Sequence, residues 1–439
     1  MRHGYQPTLR HRSIWQIALP MVIANISTPL LGMVDTAVVG HLADAHYLGA
    51  VAIGSMIFTF LFWGFGFLRM ATTGLTSQAH GANNHARIES VLWQSMMLAM
   101  LIALLLLSLQ WPIAQLAFAI IDSSDHVALY ARQYFDIRIW AAPATLLNYA
   151  IIGWLIGREA ARSALSLVLV INLTNILFDL MLVYGLGMNA DGVALASVIA
   201  EYTGLAVALL ILKHHGMSLP GQGLLVNTWR SFADFRAFSI HGNLLLRTLC
   251  LIFSFAFFTT QGARQGDVVL AANAVLLNFI TFMAFVLDGF ANATEVLTGK
   301  AIGRKHRQQM IDALLLSGFW AVLIAVMFSL VYSLFGTQII GLLTSIESVK
   351  AMAENYLIWL IIAPLLAVWT YLFDGLFVGA TRGREMRNTM LAATFLCYLP
   401  AWYLLQPMGN DGLWLALLIF LTSRGFIQTL YLKRIFNSV

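Results

Sequence analysis

The chain has 439 residues, of which 60% are apolar and only 10% charged, with a formal net charge of +5. So little charge cannot wrap a water-soluble fold of this length, which excludes a soluble enzyme, a nucleic-acid binder and a disordered scaffold. A spanning helix needs about 20 apolar residues, and the apolar content suffices for about a dozen.

Apolar runs separated by short polar turns predict twelve spans, at roughly residues 13–40, 48–70, 88–109, 131–157, 163–184, 190–213, 234–260, 268–292, 310–335, 350–379, 386–406 and 411–434. The first follows Arg2, Arg10 and Arg12, as the core of a signal peptide would. It is too long for one and no small-x-small cleavage site follows, so it reads as an uncleaved membrane helix. Cys250 and Cys397 lie inside apolar runs without CxxC spacing and read as buried thiols, with no disulfide or metal role.

Loop charge sets the expected orientation. Arg2, Arg10, Arg12, Arg87, Arg158, Arg162, Lys213, Arg230, Arg236, Lys300, Arg304, Lys305, Arg307, Arg382, Arg384, Arg387, Lys433 and Arg434 fall on one side. The opposite loops hold Arg132, Arg264 and Lys350, while Arg69, Arg138, Arg247 and Arg424 lie within or at the ends of spans. The side rich in Lys and Arg stays cytoplasmic, so both termini are expected there, which an even number of spans permits.

The chain also repeats itself. At an offset of 222, Ala71, Thr72, Leu75, Thr76, Ala79 and Gly81 fall on Ala293, Thr294, Leu297, Thr298, Ala301 and Gly303, and Gly153 and Gly157 fall on Gly375 and Gly379. At 220, Met188, Asp191, Gly192, Leu195 and Ala196 fall on Met408, Asp411, Gly412, Leu415 and Ala416. Six spans per half is an even number, so both halves insert the same way round. The fold class expected is an all-α membrane protein: twelve transmembrane helices in two six-helix bundles related by a parallel pseudo-two-fold repeat. Residues 1–213 form the first lobe, 231–439 the second, and 214–230, with Gly216, Pro220, Gly221 and Gly223, the cytoplasmic linker. Duplicated bundles serve alternating access about a cleft, so a secondary transporter is the leading reading, ahead of a receptor or scaffold.

No phosphate-binding GxxxxGK[ST] occurs; Thr298-Gly299-Lys300-Ala301 lacks the upstream glycine and the final hydroxyl. Gly64-x-Gly66 and Gly185-x-Gly187 lack a third glycine, and there is no HExxH. An ion gradient is the remaining drive, with no cofactor and no metal implied.

Ionisable residues inside spans are costly and point to function. The first span carries Asp35, with Asn25, Thr28 and Gly32 at spacings that put all four on one helix face. Pro20 and Pro29 each remove a backbone hydrogen bond and give it places to bend. The fifth span holds Asn172, Asn175 and Asp179 on one face, and the sixth holds Ser197 and Glu201 one turn apart. Two carboxylates in a dry site cannot both ionise cheaply, so such a pair can take a proton from one side and release it to the other. Asp136, two residues from Arg138, reads as structural. In the second half Asp288 and Glu295 share a face of the eighth span, Asp374 lies on the tenth, and Arg247 is a neutralising partner for Asp288 or Glu295. Here pairing is the cheaper reading. Eighteen Met and 28 Phe suit an adaptable apolar cleft for lipophilic cations.

The segment ALPMVIANISTPLLGMVDTAVVGHL, with Pro20 fifteen residues before Asp35, resembles the first helix of the multidrug and toxic compound extrusion (MATE) transporters. The LGAVAIG that follows, the Gly157-Arg158 turn, the Asn175/Asp179 pair and DGVALASVIAE fit the same family, in the bacterial branch named for a DNA-damage-inducible protein. That resemblance implies drug export in exchange for protons, coupled at Asp35, Asn175, Asp179 and a small hydroxyl at Ser197. It further implies that protonation of Asp35 bends the first helix around Pro20 and collapses the drug cavity. The sodium-coupled branch uses an acid on the seventh helix, where this chain has Asn243 and Arg247.

The expectation is therefore a proton-coupled exporter of amphipathic, cationic compounds, acting as a monomer in a bacterial inner membrane. It has small drug-like substrates and no nucleic-acid partner. A sodium-coupled antiporter and a flippase for a lipid-linked oligosaccharide are the alternatives.

Overall fold

The computed structural model describes residues 9–40, 45–121, 124–217 and 235–437, and every regular element among them is helical. Backbone polar groups in lipid find no water, so a helix, which satisfies them within one segment, is the form a spanning run can take. The helices are α1 (His11–Gly40), α2 (Ala45–Gly64), α3 (Phe67–Gly81), α4 (His85–Ser108), α5 (Gln110–Ile120), α6 (Asp125–Arg138), α7 (Ala142–Gly157), α8 (Ala161–Asp179) and α9 (Ala190–His214). After the second-half start come α10 (Phe235–Ala263), α11 (Asp267–Gly303), α12 (Arg307–Leu343), α13 (Glu347–Gly379), α14 (Gly383–Ala392), α15 (Leu399–Leu405) and α16 (Gly409–Phe436).

Every predicted span falls on one of these helices or on a run of them. Two expected spans are interrupted: Phe65 and Gly66 separate α2 from α3 within 48–70, and a 3-10 turn, Ile139–Ala141, separates α6 from α7 within 131–157, while α5 follows the expected end at Leu109. Among the described residues eleven stretches are long and apolar enough to cross a membrane, and the last, Gly383–Phe436, is 54 residues long. At about 1.5 Å per residue that is far more than one bilayer crossing. The chain reverses within it at Gln406–Met408 and Gly409, whose φ of +61° suits a residue without Cβ. The two legs, α14–α15 and α16, pack along each other, so this stretch is a pair of spans.

Large apolar side chains cover the outside. Leu342 is 86% exposed and Ile120 and Leu404 are each 74% exposed, which only lipid tolerates along so many helices.

The repeat is written into the backbone. Left-handed residues occur at Asn83 and Lys305, at Glu159 and Thr381, and at Gly187 and Gly409. Each pair is 222 apart, matching the sequence offset. The same turn bonds recur, Ala160 N–H to Leu155 O and Arg382 N–H to Phe377 O.

The chain forms two compact units, Met1–Val22 with Ser77–Asn83 and Phe238–Val439, and Ile23–Thr76 with Asn84–Ala237. The first is built on α11, α12 and α13, which pack mutually, with α16 against α13; the second on α8 against α9, α4 against α7, and α2 and α9 against α6. Helix α1 contributes to both, changing units two residues after Pro20. Its first part is held by aromatic contacts, Trp15 edge-on to Phe290 and to Trp320, and by Trp320 Nε1 donating to His11 Nδ1 at 3.1 Å. Most of the expected linker, residues 218–230, lies outside the described residues.

In the first unit the end of α3 crosses α11 without side chains between them. A Cβ on Gly81 would meet the Lys300 carbonyl oxygen at 2.1 Å, and one on Gly303 would meet the Gln78 carbonyl oxygen at 2.0 Å. Gln78 also donates from Nε2 to the Gly379 carbonyl at 2.7 Å.

Candidate ion-coupling site

Helix α8 is polar inside and apolar outside. Asn172, Asn175 and Asp179 are buried, while Leu173 and Leu177 are exposed. That is the reverse of a surface helix in water, and it follows from placing leucine against lipid and the 3- and 4-residue polar spacing against neighbouring helices. Immediately after Asp179 the helix widens into a π turn, Leu180–Gly185, a form that recurs at functional sites.

The second unit brings Asp35 of α1, Asn175 and Asp179 of α8, and Ser197 of α9 together. The carboxyl groups of Asp35 and Asp179 lie within hydrogen-bonding reach of each other, a contact that forms only when a proton sits between them. The Asn175 amide satisfies all its neighbours in one orientation. Its nitrogen then donates to Asp35 Oδ1 and Asp179 Oδ2, both at 3.2 Å, and its oxygen accepts from Ser197 Oγ at 3.1 Å and Ser197 N at 3.0 Å. One amide thus bridges both carboxyls and is itself held by α9.

Asn172 extends the network, donating to Ser27 Oγ at 2.8 Å. Thr28, the expected hydroxyl of α1, is exposed, and its Oγ1 lies 3.5 Å from the Ala24 carbonyl of its own helix. Glu201 takes a separate place, accepting from Asn148 Nδ2 at 3.0 Å. Pro20 is buried within α1, which continues through it.

Sequence reasoning missed four contributors. Ser27 differs from Thr28 by one position in the helical wheel. Tyr184, in the π turn, donates to the Val38 carbonyl at 3.0 Å and ties the end of α8 to α1 near Asp35. Asn148 carried no signal beyond being a polar residue in an apolar run. Arg138 did carry one, as a lone arginine in a span and one turn past Tyr134. Its guanidinium lies over Phe58 and Phe62, 5.8 and 5.6 Å from their ring centroids. Asp136 pairs with Arg132 at 3.4 Å.

The second-half acids are arranged differently. Asp374 of α13 accepts from Arg247 of α10 through Oδ2, from Arg424 Nη2 at 2.7 Å and from Gln428 Nε2 at 2.6 Å. Arg247 therefore pairs with Asp374, a partner the sequence reading does not name for it. Glu295 is buried and Asp288 half-buried on α11. A carboxylate held by two guanidiniums and an amide is a fixed anion that ties three helices together.

The backbone repeat does not extend to this chemistry. At the 222 offset Asp35 falls on Phe257, Asn175 on Cys397 and Asp179 on Ala401, so the carboxyl pair exists once.

A duplicated all-helical bundle with a carboxyl pair inside one half, Asp179 buried and Asp35 half-buried, defines a multipass membrane transporter. The MatE family model matches residues 20–181 and 244–404, and the chain belongs to that family. It is 44% identical to DNA damage-inducible protein F of Escherichia coli (strain K12) over 425 residues, covering 95% of this chain and 91% of that protein. It is 24% identical to multidrug resistance protein NorM of Aliivibrio fischeri, over 98% of this chain and 96% of that one. Among solved structures it is similar to a MATE transporter in the straight conformation, with a TM-score of 0.85 at 19% identity over 98% of this chain and 96% of that one. A MOP superfamily transporter from Pyrococcus furiosus gives a TM-score of 0.84 at 18% identity, over 97% and 96% of the two chains. These likenesses carry the fold.

Proposed function

We propose that this chain exports amphipathic, cationic compounds from the cytoplasm in exchange for protons, in a bacterial inner membrane with both termini cytoplasmic. Residues 1–213 and 231–439 act as its two transport lobes in a monomer. The observation that carries the reading is the amide of Asn175 bridging Asp35 and Asp179 in a buried site. Asp35 is the proton carrier. Asp179 shares the proton, and Asn175, oriented by Ser197, donates to whichever carboxyl is charged. Loss of the proton leaves two anions in contact, a state that favours separating α1 from α8. Pro20 lies just before the point where α1 passes from one compact unit to the other, which supports bending there.

Similarity to the multidrug resistance protein NorM supports a drug-like substrate. In the second half, Asp374 is already engaged by Arg247, Arg424 and Gln428, which supports a structural role for it and argues against a sodium site there. The same pairing occupies two of the few span-interior arginines that an anionic lipid-linked headgroup would need.

Everted membrane vesicles test the proposal. Uptake of a fluorescent lipophilic cation should follow an imposed proton gradient, ignore a sodium gradient, and be lost in Asp35→Asn. Sodium-driven uptake, or full proton-driven uptake in Asp35→Asn, overturns the coupling assignment.

A further inference from the structure

Helices α2 and α6, both of the second unit, lie side by side from their first turns. Tyr47 meets Tyr130 with ring centres 4.7 Å apart, a Cβ on Gly49 would touch Val127 at 3.3 Å, and Phe58 stacks on Phe135 at 5.2 Å. Contacts that advance together along two helices mean that they run parallel in a fixed register. That register brings the second residue of each helix together, His46 and His126, with ring centres 5.4 Å apart and planes 28° apart. His126 is exposed and His46 half-buried, so solvent reaches the pair.

Packing alone does not call for imidazoles here. The repeat-related helices of the other unit, α11 and α13, also pack against each other. At the 222 offset they carry Val268 and Ser348 as their second residues. The histidine pair therefore belongs to one half and is an addition to the repeated fold. Imidazole is the commonest side-chain ligand of metal ions. Two imidazoles on one tetrahedral ion, each with a nitrogen about 2.0–2.1 Å from it, hold their ring centres roughly 5 Å apart. The observed separation fits, and rotation about χ2, a broad torsion, turns one nitrogen of each ring to a shared ion.

We propose that His46 and His126 form a binding site for a divalent transition-metal ion such as zinc, bridging the first turns of α2 and α6. Each histidine gives one nitrogen, and water completes the coordination. Two imidazoles favour zinc, copper or nickel over magnesium and calcium, which take oxygen ligands. Because the register holds both rings at the right spacing, the second ligand acts at high effective concentration once the first has bound. Such a site is independent of the ion that drives transport and uses none of the residues assigned to it.

The test is calorimetric titration of zinc chloride into metal-free, full-length protein in detergent, purified through a tag without histidine. Wild type should show saturable binding that magnesium chloride does not give. His46→Gln and His126→Gln should each weaken it by about tenfold or more. His85→Gln, which removes an exposed histidine at the start of α4, should leave it unchanged. His126→Cys keeps a zinc ligand and should retain binding, which separates a lost ligand from a lost fold. Zinc should also raise the melting temperature of wild type and of neither glutamine variant. Absence of zinc binding by wild type overturns the site. So does an affinity that survives either glutamine substitution, one that falls equally in His85→Gln, or one that is missing from a folded His126→Cys protein.

Discussion

Replacing Gly303 by alanine drives a methyl group into a backbone. The new Cβ would lie 2.0 Å from the Gln78 carbonyl oxygen and 2.9 Å from the Ala82 nitrogen. Ordinary contact needs about 3.5 Å, so α3 and α11 must part by roughly 1.5 Å. Neither atom is the end of a flexible side chain, so the strain cannot be absorbed by a rotamer change. Overpacking costs about 1–3 kcal/mol in general, and a backbone clash belongs at the upper end. Parting the helices also stretches the 2.7 Å bond from Gln78 Nε2 to the Gly379 carbonyl. Gly81→Ala, at 2.1 Å from the Lys300 carbonyl, should act alike. Both open the same crossing, so the double variant should cost less than the sum of the two. The assay is thermal unfolding in detergent, with Gly341→Ala as the control, since nothing lies within 4 Å of a Cβ there. A fall of several degrees for Gly303→Ala and none for Gly341→Ala is expected. Equal melting of Gly303→Ala and wild type would refute the contact between these helices.

Three further outcomes follow from other sites. Asp374→Leu leaves two buried guanidiniums facing each other and should cost about 3–5 kcal/mol, with part recovered in Asp374→Leu/Arg424→Leu, read by the same unfolding assay. Tyr184→Phe removes one bond to the Val38 carbonyl and should cost about 1 kcal/mol, with a measurable slowing of transport if the tie between α8 and α1 matters to the cycle. His215, just past α9, has its imidazole held below the ordinary 6.5 by burial, then by the charges of Arg158 and His214. The unfolded chain therefore takes up this proton first, so the native state loses stability as the pH falls below about 6.5. His215→Gln should flatten that decline in a melting-temperature profile from about pH 8 to about pH 5, and an unchanged slope would contradict the assignment.

The spans were legible because lipid imposes one rule on every residue of a crossing run, and the offset of 222 was legible because the same turns recur. Asp35, Asn175 and Asp179 were legible because a polar residue in an apolar helix has no cheap explanation. What failed to show depended on rotation and distance. Ser27 and Thr28 are neighbours in sequence, yet a helix turns about 100° between them, and only packing decides which one meets Asn172. Arg247, Arg424 and Gln428 converge on Asp374 from two other helices, a meeting that no local spacing encodes. The π turn after Asp179 lies in LMLVYG, a stretch that reads as ordinary apolar helix. Arg138 was visible as a lone span arginine, but its seat over Phe58 and Phe62 was not.

The central claim is that the Asp35–Asp179 pair releases a proton when substrate binds. Its most direct test is substrate addition to weakly buffered, detergent-purified protein containing a pH-sensitive dye. The mechanism requires proton release on binding by wild type and its loss in Asp35→Asn, with substrate affinity retained in a separate fluorescence titration. Binding by wild type without proton release, or undiminished release from Asp35→Asn, would contradict it.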